Sequence, residues 1–116
     1  MSKLESALAI QLMAYKIPFE REVLGLIPKR KFKVDFLIRP GLVIEVQGGL
    51  RMAKGGHNTH SGITRDCEKT ILLQLEGYRV FPVTAEHIAS GKAIEWIKAM
   101  VGWLEFETRQ KRFKSV

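Results

Sequence analysis

The sequence predicts an α/β fold, a mixed central sheet flanked by helices in the order α-β-β-β-α-β-α. Three observations carry this. Residues 31–38 and 42–47 alternate in apolar character about a turn at Arg39-Pro40-Gly41, the mark of a β-hairpin. Apolar residues recur at helical spacing near both ends of the chain. A further helical segment, stopped by Gly77 and followed by a short apolar run, makes a strand-helix-strand link, which predicts a right-handed crossover to a parallel strand.

The first helix is read from Leu4, Leu8, Leu12 and Tyr15, and Pro18 closes it by forbidding helical backbone at Ile17. Ser2-Lys3-Leu4-Glu5 is a capping box, in which Glu5 reaches back to the Ser2 backbone. A strand follows, with Phe19, Arg21 and Val23 on one face and Glu20 and Glu22 on the other. In the hairpin, Phe32, Val34, Phe36, Ile38, Leu42, Ile44 and Val46 form one buried face. Lys31, Lys33, Asp35, Leu37, Val43, Glu45 and Gln47 project from the other. After Gln47 come about sixteen polar and glycine-rich residues, a length often functional in a small domain. A helix over 65–76 packs through Ile71, Leu72 and Leu75, with Gly77 at its C-cap, and a strand runs over 78–83. Thr84 and Ser90 serve as caps for the last segments. Ile94, Ile97, Val101 and Leu104 are the core stripe of the final helix, while Trp96, Met100 and Trp103 form a second stripe.

The 116 residues suffice for one domain, read as 1–108, with a basic tail over 109–116 that carries Arg109, Lys111, Arg112 and Lys114. A single cysteine, Cys67, excludes an internal disulfide framework, and the chain fits a reducing cytoplasm. No apolar run approaches the roughly 20 residues that span a bilayer. A net charge of +7 points to a polyanionic partner, most often nucleic acid.

Against that positive balance, the hairpin brings two carboxylates together. With the turn centred on Pro40, Asp35 lies opposite Glu45, Lys33 opposite Gln47 and Leu37 opposite Val43. Opposed side chains have Cβ atoms about 4.5–5.5 Å apart, where like charges are destabilising, so the pair calls for a cation. Two hard carboxylate oxygens, aided by a main-chain carbonyl, suit Mg²⁺ or Mn²⁺.

Lys33-Val34-Asp35-Phe36, a turn, and Val43-Ile44-Glu45-Val46-Gln47 resemble the core of the PD-(D/E)xK nuclease superfamily, with its restriction-endonuclease-like fold. The continuation through Gly48-Gly49, His57-Asn58-Thr59-His60, Arg65-Asp66-Cys67-Glu68-Lys69 and Gly77-Tyr78-Arg79-Val80-Phe81 is similar to small phage and bacterial endonucleases, among them very-short-patch-repair-like enzymes and Holliday-junction resolvases. The resemblance covers residues 2–94. It implies Mg²⁺-dependent hydrolysis of DNA phosphodiesters, with Mn²⁺ as a substitute, Asp35 and Glu45 as metal ligands and the Val46 carbonyl as a third. Where the superfamily most often has lysine, this chain has Gln47, whose amide can orient a water but carries no charge. The cation then comes from Lys33, Arg65 or Lys69, with Lys69 preferred because its helix begins near the metal end of the hairpin. In many members a glutamate of the first helix completes the site. Glu5 holds that place, in competition with its capping role, and Glu20 and Glu22 are weaker candidates.

Lys29, Arg30, Lys31 and Lys33 form a phosphate track toward this face, to which the tail adds its cations. Arg51, Lys54, His57, Asn58 and His60 supply loop donors to a DNA backbone, and Arg65 supplies one from the helix. His57, His60 and Cys67 match no zinc spacing. The expected activity is that of a junction resolvase acting on branched DNA as a homodimer, whose second helical stripe is the interface. Two alternatives are a nicking or repair endonuclease of very-short-patch-repair type and an inactive, structure-selective DNA-binding module. No small-molecule cofactor and no membrane are implied, and the setting is a bacterial cell or phage-infected host.

Overall fold

The hairpin positions everything else. In a computed structural model, which describes residues 2–48 and 60–114, β2 (Lys33–Ile38) and β3 (Leu42–Gln47) pair antiparallel as Phe36↔Ile44, Leu37↔Val43 and Ile38↔Leu42, the register centred on Pro40. β1 (Glu20–Leu24) joins the free side of β2 antiparallel, and β4 (Arg79–Thr84) lies parallel to β3, completing a sheet in the order β1-β2-β3-β4. The helices are α1 (Lys3–Ala14), α2 (His60–Leu75), a short α3 (Ala85–Ala89) and α4 (Lys92–Lys114). The predicted order is thus present, with α3 inserted before the last helix. Thr84 caps α3: its hydroxyl accepts from the His87 N–H while its own N–H donates to His87 Nδ1.

Both faces of the sheet are buried, which corrects the expectation of one buried face. Phe36, Ile38, Leu42, Ile44 and Val46 pack under Leu8 and Leu12 of α1, Ile88 of α3 and Ile94, Ile97 and Leu104 of α4. On the reverse, Val34, Leu37 and Val43 join Ile27 and Leu73 of α2. Val34 therefore shares a side with Leu37, and the strict alternation breaks at Asp35. Beside it, between the pairs Arg21↔Phe36 and Val23↔Val34, Glu22 takes a left-handed φ of 50°. On β1 the side changes at the same level, since Arg21 lies over Phe36 whereas Val23 packs with Val34 on the reverse.

The face of α2 also differs from its expectation. The helix begins five residues earlier, at His60, and packs through Leu72 and Leu73, leaving Ile71 56% and Leu75 77% exposed. On α4 the stripe of Ile94, Ile97, Val101 and Leu104 faces the core as expected. Met100 also packs there, whereas Trp96, Trp103 and Phe106 stand half exposed, with Trp103 and Phe106 stacked at 5.6 Å. Residues 109–114 continue this helix. No helix among the described residues is long and apolar enough to cross a membrane.

Phe36 is the largest fully buried side chain among the described residues, with Phe19 5.6 Å from its ring and the Arg21 guanidinium 4.6 Å over it. Phe36→Ala is expected to cost about 3–5 kcal/mol, a large part of a small domain's stability, and to lower the thermal midpoint by more than about 10 °C. A smaller shift in a calorimetric scan would mean that the ring is not central to the core.

Candidate active site

The two strands of the hairpin are joined differently above and below Asp35. Backbone pairing reaches Phe36↔Ile44. One step further, the acids themselves bridge the strands: the Asp35 N–H donates to Glu45 Oε2 at 3.3 Å, and the Val46 N–H donates to Asp35 Oδ2 at 2.8 Å. Each carboxylate is thereby oriented by the main chain of the opposite strand. The turn at Pro40 sets the register, and the register brings Asp35 and Glu45 together as the sequence predicts.

The second Glu45 oxygen, Oε1, faces α2. There Lys69 forms an ion pair with it and donates from Nζ to the Lys33 carbonyl at 2.6 Å. Lys69 is placed by the packing of Leu72 and Leu73, three and four residues along the same helical face. The Lys69 ammonium is thus the cation that meets this buried oxygen. Burial pushes the Glu45 carboxyl up to about 7; the Lys69 ammonium opposes that rise, and the neighbouring Asp35 charge adds to it.

These residues fit a hard divalent cation. The donor set is carboxylate oxygen on adjacent strands, and the Glu45 side chain is only 13% exposed. Among the described residues no three His, Cys, Asp or Glu side chains gather, so the anionic donors here are the two carboxylates. A cleft of about 630 Å³ lined by Tyr15, Phe19, Ile38, Lys98 and Val101 lies at the Pro40 end of the sheet, away from both acids.

Because the folded-state value for Glu45 lies above its ordinary 4.5, folding favours the protonated acid. The contribution is fully present below about pH 4.5 and is lost as the pH rises through about 7. Metal-free protein is expected to lose on the order of 2–3 kcal/mol from this group between pH 5 and 8. Glu45→Gln should flatten that part of the stability profile in denaturant titrations in EDTA, and an unchanged slope would show that the group titrates normally.

The remaining predicted residues divide. Gln47, two along from Glu45 on β3, is exposed at the strand end. Lys33 turns its ammonium to Glu22 at 3.6 Å and contributes its carbonyl to Lys69. The Glu5 side chain does not reach the Ser2 backbone; Ser2 Oγ donates to Oε2 at 3.1 Å, and Arg21 holds Oε1 at 3.2 Å. Both oxygens are thus engaged away from Asp35 and Glu45. Arg30 pairs with Glu68 at 2.6 Å, Arg65 lies over Phe32, and Lys29 and Lys31 are exposed. His60 opens α2, while Arg51, Lys54, His57 and Asn58 lie outside the described residues.

The basic stretch 109–114 is not continuous with this surface. Arg79, paired with Leu42 in the sheet, bonds the Gly41 carbonyl and Glu107, so the last turns of α4 lie at the Pro40 end. Sequence reasoning also missed Arg21 and Glu68. An arginine on the inward face of β1 signals a carboxylate partner, which Glu5 provides.

No protein-family model matches the chain, and no curated protein matches it. Among solved structures it is similar to the catalytic domain of the homing endonuclease I-Bth0305I, with a TM-score of 0.60 over 88% of this chain and 92% of that one, at 20% sequence identity. The chain therefore has the fold of that nuclease domain, a mixed α/β unit whose four-stranded sheet is flanked by helices.

Proposed function

We propose that the chain is a divalent-metal-dependent DNA endonuclease of the PD-(D/E)xK type, a resolvase that hydrolyses phosphodiesters in four-way junctions and other branched DNA. The observation that carries this reading is the cross-strand pair of Asp35 and Glu45 with Lys69 set against Glu45, on a chain of net charge +7. The fold it shares with a homing endonuclease catalytic domain supports DNA as the substrate.

Asp35 and Glu45 would hold Mg²⁺ or Mn²⁺, with the Val46 carbonyl as a third ligand. When bound, such a cation lowers the pKa of a coordinated water and screens the phosphate oxygens. Lys69 supplies the positive charge that Gln47 cannot, and Gln47 orients the attacking water through its amide. Glu5 supports the site from behind through Arg21, which lies over Phe36 beside Asp35. A homodimer built on the exposed Trp96, Trp103 and Phe106 of α4 places two such sites about a two-fold axis, as paired cutting of a junction requires.

The test is an end-labelled synthetic four-way junction beside a linear duplex of the same arms, each in Mg²⁺ and in EDTA. Symmetric nicks confined to the junction and lost in EDTA are expected. Equal cutting of both substrates would replace junction selectivity with a nicking or repair role. Binding without cleavage in either Mg²⁺ or Mn²⁺ would reduce the chain to a DNA-binding module.

A further inference from the structure

Two guanidinium groups gather on one aromatic ring next to the carboxylate pair. Arg30 Cζ lies 4.6 Å and Arg65 Cζ 5.8 Å from the centre of the Phe32 ring. Phe32 immediately precedes Lys33, whose carbonyl accepts from Lys69, and Arg65 stands one helical turn before Lys69 on α2. Residues four apart on a helix share a face, with Cβ atoms about 5–6 Å apart. The ring and its arginines therefore lie beside the Lys69–Glu45 pair.

The two arginines differ in their partners. Arg30 is held by Glu68, whereas Arg65 has no carboxylate partner among the described residues. Like charges collected over one ring are an unfavourable arrangement unless an anion joins them, and one carboxylate answers only half of that charge. Arginine suits phosphate capture on such a ring, because its planar fork rests on the aromatic face while its N–H groups stay available for bidentate bonding. The Arg30–Glu68 pair is about half exposed on both sides, the class of ion pair worth only about 0–1 kcal/mol, so exchanging it for a phosphate costs little.

We infer that Arg30 and Arg65, mounted on Phe32, form a clamp for the DNA phosphate next to the one that reacts, and that Glu68 occupies this clamp when DNA is absent. The inference rests on the nuclease reading above. It assigns Glu68 a role opposite to that of an ordinary surface partner, since removing its charge should strengthen the complex. Arg30, Phe32 and Arg65 act here in positioning the strand, and Asp35, Glu45 and Lys69 remain the groups at the reacting phosphate.

The test measures binding of a fluorescently labelled four-way junction and of a duplex of its arms by anisotropy in EDTA, over a range of salt, for the full chain. Arg65→Ala is expected to weaken binding about 10-fold and to reduce the slope of log affinity against log salt by about 1, as loss of one phosphate contact does. Glu68→Gln should tighten binding about 3-fold, and the gain should vanish in Arg30→Ala/Glu68→Gln. Circular dichroism melts confirm that each variant is folded. Wild-type binding with salt slopes unchanged in the variants, or a Glu68→Gln protein that binds no more tightly, would overturn the clamp and leave the nuclease reading intact. Failure of the wild type to bind either DNA would overturn the nuclease reading and the clamp together.

Discussion

Asp35→Asn should abolish Mg²⁺-dependent cleavage, lowering kcat by at least about 10³-fold, while junction affinity measured in EDTA stays within about 3-fold of wild type. The separation follows from what the side chain touches. Asp35 Oδ2 accepts the Val46 N–H, a bond that an asparagine carbonyl can also accept, so the frame of the hairpin survives the substitution. What is lost is one of the two negative charges available to a divalent cation. A tenfold change in rate corresponds to about 1.4 kcal/mol, so a thousandfold loss asks for about 4 kcal/mol, within the range expected when a metal loses an anionic ligand. Cleavage at the wild-type rate would remove Asp35 from the site. Loss of binding along with cleavage would instead mean that the substitution had disturbed the hairpin.

Lys69→Met tests a different part of the arrangement. Methionine keeps much of the aliphatic length but removes the ion pair with Glu45 and the bond to the Lys33 carbonyl. Glu45 then loses the cation that opposes its burial, and its carboxyl rises further above the ordinary range. Two changes are expected together: kcat falls by about 10²–10³-fold, and the acid limb of the pH–rate profile moves to higher pH. A merely structural lysine would lower stability without moving that limb. Gln47→Lys offers a second readout, because residue 47 lies two along β3 from Glu45 and so shares its side of the strand. Introduced beside Lys69→Met, it should recover part of the lost rate. Full activity in Lys69→Met alone would transfer the role to Lys33 or Arg65.

Much of this site was legible because hairpins impose arithmetic on side chains. Once Arg39-Pro40-Gly41 is read as the turn, Asp35 and Glu45 must meet, and the bond from the Asp35 N–H to Glu45 shows that they do. Helical spacing likewise identified Leu8, Leu12, Ile94, Ile97 and Leu104 as core. The failures have separate physical origins. Alternation assumes an unbroken pleat, and in β2 it breaks at Asp35, opposite the left-handed Glu22, so Val34 packs on the other face from Phe36. In α2, the aliphatic Ile71 and Leu75 outweighed Lys69 in a reading by hydrophobicity, yet the helix face is fixed by Leu72, Leu73 and the charge of Lys69. Glu5 read as a capping residue or a metal ligand. Its main distant contact is Arg21, a partner sixteen residues away that no local pattern announces.

The sheet has two open margins, and each carries a guard against extension. On β4, Pro82 stands beside Glu45 in the register and has no N–H to offer an incoming strand. On β1, Glu20, Arg21 and Glu22 place charges along a short strand, and the left-handed turn at Glu22 interrupts its run of donors and acceptors. Neither margin can template a neighbouring chain into a continuous ribbon. Guards of this kind disfavour edge-to-edge joining of copies into fibres.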